Sequence, residues 1–294
     1  MLRTRNFASA HVPGTISNHM TFADLGLSED LLRAVSEAGY TEPTDIQREA
    51  IPPVLMMKDI IGIAQTGTGK TASFVLPMID IMASGRRRAL MPRSLILAPT
   101  RELAIQIGEE FAAYGKNLHL RQCVIFGGVK QNPQVNALKR GVDIIIATPG
   151  RLLDLMRQGF INLNAAGFLV LDEADRMLDL GFIDHINHIQ SLLPEKRQTL
   201  LFSATFSKEI KALTTAMLRN PMTIELATAQ DHIDNITQIL HPVDKERKHE
   251  LLIHLLENHD WSQILVFTRT KRGADTLRND LEAIGITAES IHAN

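Results

Sequence analysis

Apolar positions along the chain fall into two periods. From Ser28 the run Ser-Glu-Asp-Leu-Leu-Arg-Ala-Val-Ser-Glu-Ala-Gly sets a capping hydroxyl first, acids in the first turn, and Leu31, Leu32 and Val35 at helical spacing. Gly39 closes it, and the whole predicts a helix. Beyond it, short β-rich runs at 59–64, 94–97, 123–126, 143–146, 168–171 and 199–202 alternate with helical segments. Such alternation predicts an α/β fold, with a parallel sheet covered by helices on both faces.

The polarity changes around 227–235, Ala-Thr-Ala-Gln-Asp-His-Ile-Asp-Asn, which reads as a linker. A second α/β unit is expected after it, with a helix over 248–256, a strand at Gln263-Ile264-Leu265-Val266-Phe267, a helix over 273–284 and a strand starting near Thr287. The division expected is therefore a leader over 1–19, a main domain over 20–228, a linker over 229–236 and a partial second domain over 237–294. Roughly sixty residues is short for an independent lobe of this type, so the second unit is expected to be truncated.

Each β-rich run empties into an unusual polar sequence. These are Pro99-Thr100-Arg101-Glu102, Gly127-Gly128, Thr148-Pro149-Gly150-Arg151, Asp172-Glu173-Ala174-Asp175 and Ser203-Ala204-Thr205. Open α/β sheets bind ligands at the carboxyl ends of their strands, so one sheet edge should collect all of them. The run at 59–64 leads into Ala64-Gln65-Thr66-Gly67-Thr68-Gly69-Lys70-Thr71 and then an apolar helical stretch. Strand, glycine loop and helix are the setting of a phosphate-binding loop, whose backbone N–H groups wrap phosphate oxygens while a Lys reaches the terminal phosphates and a hydroxyl meets the metal. Ala64 stands where the usual pattern has its first glycine. The acidic partner, Asp172-Glu173, follows the apolar run Phe168-Leu169-Val170-Leu171, and together the two segments describe a site for ATP and magnesium.

Composition narrows the remaining choices. The chain has 294 residues and a formal net charge of −2, so nucleic-acid binding must rest on local groups rather than on a basic surface. Cys123 is the only cysteine, which excludes an intramolecular disulfide and suits a reducing cytosol. No stretch has the apolar length of a membrane span, and the first residues lack the apolar core of a secretion signal. A soluble, cytoplasmic protein is expected. Arg86-Arg87-Arg88 reads as a solvated loop, and His249-Glu250-Leu251-Leu252-Ile253-His254 spaces its histidines one position too far for a zinc-protease helix. His185 and His188 lie one turn apart without a third ligand and are read as part of an exposed helix.

With these motifs in order, the chain resembles the DEAD-box ATP-dependent RNA helicases, and within them the bacterial RhlE-like group. The resemblance runs from Phe22 to Asn294 and includes Gly39-Tyr40-Thr41-Glu42-Pro43-Thr44-Asp45-Ile46-Gln47 (the Q motif, placed within 20–48), the phosphate loop, Pro-Thr-Arg-Glu-Leu at 99–103, Gly127-Gly128, Thr-Pro-Gly-Arg at 148–151, Asp-Glu-Ala-Asp at 172–175 and Ser-Ala-Thr at 203–205. It implies a RecA-like P-loop NTPase lobe followed by the start of a second RecA-like lobe. It also implies that Lys70 holds phosphate, Thr71 and Asp172 fix magnesium, Glu173 orients or deprotonates the attacking water, and Asp175 meets Ser203 or Thr205 to couple nucleotide state to RNA. Gln47 would read the N6 and N7 edge of adenine. Tyr40 and Phe22 would either shape the adenine pocket or pack in the core.

RNA is expected as the partner, single-stranded or as a short duplex, held through its sugar-phosphate backbone by Pro99, Thr100, Arg101, Gly127, Gly128, Thr148, Gly150 and Arg151, with ribonucleoprotein assemblies as further partners. In this family the second lobe supplies arginine fingers, worth on the order of 10³ to 10⁵ in rate. Nothing after Asn294 would provide them, so weak turnover by this chain is expected. Two other readings remain: a non-catalytic, nucleotide-gated RNA-binding module, and a P-loop ATPase acting on DNA.

Overall fold

The computed structural model describes residues 20–65, 67–85, 91–226 and 237–292. The leader, the linker, Thr66 and the triple-arginine segment lie outside them. The chain divides into two compact units, Met1–Ala229 and Gln230–Asn294.

The first unit is built on seven parallel strands: β1 (Ile60–Ile63), β2 (Ser94–Leu97), β3 (Gln122–Ile125), β4 (Ile144–Ala147), β5 (Phe168–Leu171), β6 (Gln198–Ser203) and β7 (Met222–Glu225). Their order across the sheet is β3-β4-β2-β5-β6-β1-β7, and every pairing is parallel. Parallel sheets are covered on both faces, which is why the central strands read as unbroken apolar runs. The two-residue period sorts their side chains. Ile96, Val170, Leu200 and Phe202 enter one core cluster, while Leu95, Leu97, Leu169, Leu171 and Leu201 enter the other.

Helices α1 (Glu29–Glu37), α2 (Asp45–Leu55), α3 (Lys70–Ser84) and α4 (Arg101–Tyr114) pack into the first cluster through residues such as Leu31, Ile51, Phe74 and Phe111. The second is closed by α5 (Asn132–Lys139), α6 (Pro149–Arg157), α7 (Ala174–Asp179), α8 (Ile183–Ser191) and α9 (Lys208–Met217). Strand β7 is absent from the apolar pattern because it is an edge strand in which Ile224 alone is buried. Its backbone pairing with β1, from Ile60–Met222 to Ile63–Glu225, makes it a strand.

The second unit holds α10 (Lys248–Glu257) and α11 (Lys271–Ala283), linked by His249 Nδ1 to Asp280 at 3.0 Å and with Leu277 and Leu281 buried. Residues 263–267, expected as a strand, are not one: the segment has no ladder partner among the described residues, and Leu265 and Phe267 are 73% and 89% exposed. The run starting near Thr287 is likewise irregular. β-branched and aromatic composition favours a strand, but only a neighbouring strand satisfies its N–H and C=O groups.

Asp59 anchors the start of β1. Its Oδ1 accepts from the Thr199 N–H (2.8 Å) and its Oδ2 from the Arg219 N–H (2.7 Å), fastening β1 to β6 and to the approach to β7. Asp59→Ala would leave both donors unpaired, the Thr199 N–H fully buried and the Arg219 N–H partly so. It should destabilise the first unit by about 2–4 kcal/mol in urea unfolding, given roughly 1.5–3 kcal/mol for a hydrogen bond to a charged group.

Candidate active site

The phosphate loop leaves β1 and turns into α3 through Gly69, which sits at φ +89° as the cap of the helix. A side chain there would be strained, and its Cβ would fall 2.5 Å from Gln47 Nε2 and 2.9 Å from Thr44 Oγ1. The crowding reflects a latch. Gln47 Nε2 donates to the Gly69 carbonyl at 3.2 Å, while its Oε1 accepts from the Thr44 N–H at 3.0 Å. Thr44-x-x-Gln47 is thus half of a capping box that also holds the loop, and Gln47 is 3% exposed rather than a surface amide. One N–H and one lone pair of the amide remain for a ligand.

A cavity of about 770 Å³ opens beside this latch. Its wall brings together Tyr40, Thr44 and Gln47 from the α1–α2 region, Gly67, Gly69, Lys70 and Thr71 from the loop, and Asp172 and Glu173 from the end of β5. Lys70 is buried, and its Nζ donates to the Ala64 carbonyl at 2.8 Å. That bond uses one of the three donors of the ammonium. Ala64, Gln65 and Thr68 shape the loop without forming the cavity wall, Thr68 Oγ1 donating to the Gln65 carbonyl at 2.8 Å. Phe22 is also absent from the wall. It is 5% exposed within the first core cluster, so of the two readings for this side chain the structure shows packing.

Asp172 is 1% exposed, and burial pushes its carboxyl up to about 6; Lys70 pulls against that, while Glu173 and Asp175 add to it. A group placed this way takes on full charge once a cation arrives. Glu173 occupies the left-handed region at φ +51° as the cap of α7, with Arg176 Nη1 at 3.2 Å from its Oε2. A charged side chain held in that region marks a backbone constrained by its surroundings. The donor set of a loop lysine, a threonine hydroxyl and a buried carboxylate fits a magnesium–nucleotide. Among the described residues no three acidic, histidine or cysteine side chains are close enough to hold a metal by themselves, which leaves room for phosphate oxygens and water to complete a shell.

Beyond Asp172, Asp175 turns toward β6. Its Oδ2 accepts from Ala204 N–H (3.1 Å), Thr205 N–H (3.0 Å) and Thr205 Oγ1 (3.2 Å). Ser203 Oγ donates instead to the Thr205 carbonyl at 2.7 Å. The polar ends of neighbouring strands are joined the same way along the edge. Thr148 N–H donates to Ile125 C=O (2.9 Å), Ala98 N–H to Ala147 C=O (3.0 Å), Asp172 N–H to Leu97 C=O (3.0 Å) and Ala64 N–H to Ser203 C=O (3.0 Å).

The remaining predicted residues gather on the other half of this edge, after β2, β3 and β4. Pro99 is buried, Thr100 Oγ1 accepts from the Leu103 N–H at 3.3 Å to cap α4, and the Arg101 guanidinium lies 5.0 Å from the centre of the Phe126 ring. Gly127, Gly128 and Gly150 are exposed, with nothing within 4 Å of where a Cβ would stand. Thr148 begins α6, and Arg151 donates to the Val129 carbonyl from Nη1 (3.3 Å) and Nη2 (3.2 Å). Open backbone beside two anchored guanidiniums suits a sugar-phosphate strand better than base edges.

Sequence reasoning missed the wall formed by α4, where Leu103, Gln106, Glu109, Glu110, Ala113 and Tyr114 line the cavity. Their 3-3-1-3-1 spacing keeps to one helical face and could have indicated it, but the apolar members also satisfy ordinary packing. Tyr114 and Tyr40 meet with ring centres 6.3 Å apart. The histidines of α8 are also not alike. His185 is half-buried and stacked on Phe182 at 5.7 Å, and only His188 is exposed, because α8 turns its inner face to the second cluster.

Residues 44–213 match the model of the family described as DEAD/DEAH box helicase. The chain is 42% identical over 282 residues to DEAD-box ATP-dependent RNA helicase 20 of Arabidopsis thaliana, covering 93% of this chain and 56% of that protein. It is 42% identical over 274 residues to DEAD-box ATP-dependent RNA helicase CshA of Bacillus cereus, covering 93% and 52%. The chain thus spans about half the length of these curated relatives. A crystal structure of a DEAD box protein from the hyperthermophile Methanococcus jannaschii superposes with a TM-score of 0.67 at 37% identity, covering 93% of this chain and 73% of that one.

Asp172 has a measurable signature without any ligand. Its folded pKa, about 6, lies above the ordinary 3.8, so the folded chain keeps a proton that the unfolded chain has lost. Native stability therefore falls as pH rises from about 4 to 6, and the cost persists above that. Asp172→Asn should raise ligand-free stability at pH 8 by up to about 3 kcal/mol, taking roughly 1.4 kcal/mol per pKa unit. The gain should vanish at pH 4, as read by urea unfolding at the two pH values.

Proposed function

The chain belongs to the DEAD/DEAH box helicase family, and from that premise we propose that it binds ATP with magnesium in the cavity at β1 and β5 and RNA along the ends of β2, β3 and β4. On this reading ATP hydrolysis is coupled to local separation of short RNA duplexes. The observation that carries the proposal is the convergence of Gln47, Lys70, Thr71, Asp172 and Glu173 on one cavity from three distant stretches of chain. The relatives named above as ATP-dependent RNA helicases support it.

Phosphoryl transfer to water asks mainly for positioning and charge neutralisation. Magnesium, when bound, would supply positive charge that offsets the charge of the phosphates. Gln47 keeps Gly69 in place and offers its spare N–H and lone pair to adenine, with Tyr40 beside it. Lys70 presents its two free N–H groups to the phosphates, and Thr71 and Asp172 hold the metal. Glu173 orients the attacking water and takes its proton. Asp175 carries any shift of the β5–α7 turn into Ala204 and Thr205 through its three hydrogen bonds. Thr100, Arg101, Gly127, Gly128, Thr148, Gly150 and Arg151 receive the RNA backbone. Specificity for a particular ribonucleoprotein is not encoded in such contacts. A cytoplasmic location, where ATP and RNA substrates are both abundant, belongs to the same proposal.

Steady-state ATP hydrolysis and nucleotide binding, each with and without single-stranded RNA, test the reading. Lys70→Ala should abolish ATP binding. Glu173→Gln should keep binding and lower turnover by about 10²- to 10⁴-fold, the range for removing a general base. Loss of binding and turnover together in Glu173→Gln would make its role structural. Nucleotide-gated RNA binding without turnover would instead select a non-catalytic module, and equal stimulation by DNA would remove the RNA assignment.

A further inference from the structure

Two acids of α4, Glu109 and Glu110, line the cavity, and of these Glu110 is the half-buried one. It lines the cavity between Gln106 and Ala113, and its Oε2 is buried with no hydrogen-bond partner among the described residues. Lys70 Nζ donates to the Ala64 carbonyl and not to this oxygen. Burial, with the charge of Asp172 adding, pushes the Glu110 carboxyl up to about 7. The arrangement is costly for an empty protein, since an unpaired buried acceptor loses its hydration. It would be costlier still beside a polyphosphate, which repels it, unless a cation lies nearby to draw both together.

We propose that Glu110 is a third acidic group of the magnesium–nucleotide site, a positioning residue on α4 that accepts hydrogen bonds from waters the ion retains. The inference rests on the ATP reading of this cavity. Among the described residues no three acidic, histidine or cysteine side chains sit together as a metal-binding group, so the role proposed for Glu110 is to hold water bound to the ion rather than the ion itself. Magnesium dehydrates reluctantly and keeps several waters in protein sites, which suits such an outer position. Glu110 is seven residues, two helical turns, beyond Leu103 and so shares its face; Glu109 also lines the cavity but is exposed, so its carboxylate keeps its hydration.

The test compares binding of a fluorescent ATP analogue in excess magnesium and in EDTA, for the unaltered chain, Glu110→Gln and Glu110→Asp, with thermal melting to verify that each variant folds. Glu110→Gln should weaken binding in magnesium about 10- to 100-fold, the range for outer-shell partners of a metal. In EDTA its binding should be unchanged or tighter, because a repulsive charge has gone. Glu110→Asp, which keeps the charge, should recover part of the magnesium-dependent gain. Equal weakening with and without magnesium would show a packing role and overturn the proposal, as would unchanged binding in both. Failure of the unaltered chain to bind the analogue in either condition would overturn the ATP reading itself, which is a different result.

Discussion

A parallel sheet sends the carboxyl end of every strand to one edge, and in this protein the hydrogen bonding does not stop where the strands do. Thr148 is tied to Ile125, Ala98 to Ala147, Asp172 to Leu97 and Ala64 to Ser203, each through a backbone N–H and C=O just past a ladder. The one gap in that line, between β5 and β6, is closed by the Asp175 carboxylate on Ala204 and Thr205. The polar segments are thus fixed to one another in the order β3-β4-β2-β5-β6-β1. Six short sequences scattered over some 140 residues become one continuous surface.

That surface is divided by strand order. The three ends with open glycine backbone and guanidiniums are adjacent, and the three ends carrying the loop, the paired acids and the Ser-Ala-Thr turn are adjacent to them. The halves meet at β2 and β5, and two features cross the boundary. One is the Asp172–Leu97 hydrogen bond. The other is α4, which starts at Arg101 on one half and presents Glu110 and Tyr114 to the cavity on the other.

Charge in the cavity is arranged for a ligand rather than for the empty protein. Lys70 rests on a carbonyl, Asp172 is buried and held toward its neutral form, and Glu110 keeps an oxygen without a partner. Burying these groups is unfavourable unless they are paired. Cys123 shows the contrasting case. Burial alone pushes its thiol up to about 11, and it packs in the second cluster as a small apolar side chain.

The sequence by itself determined the alternation of strands and helices, the six strands with dense apolar runs, and the order of motifs that marks the family. Those follow from side-chain period and from residue types that few other roles require. The narrower RhlE-like placement did not follow, because the motifs that identify the family are the parts its members share. Only the tertiary structure decided what depends on partners distant in sequence. Ile224 belongs to a strand because β1 accepts it, whereas Leu265 and Phe267 do not because no strand among the described residues lies beside them. Phe22 went to the core while Tyr40 went to the cavity, and Glu110 joined the cavity wall on a helical face whose spacing alone does not say what stands opposite it. Local periodicity fixes which face a side chain takes, but what stands opposite that face is set by strand order, and strand order is a property of the folded sheet.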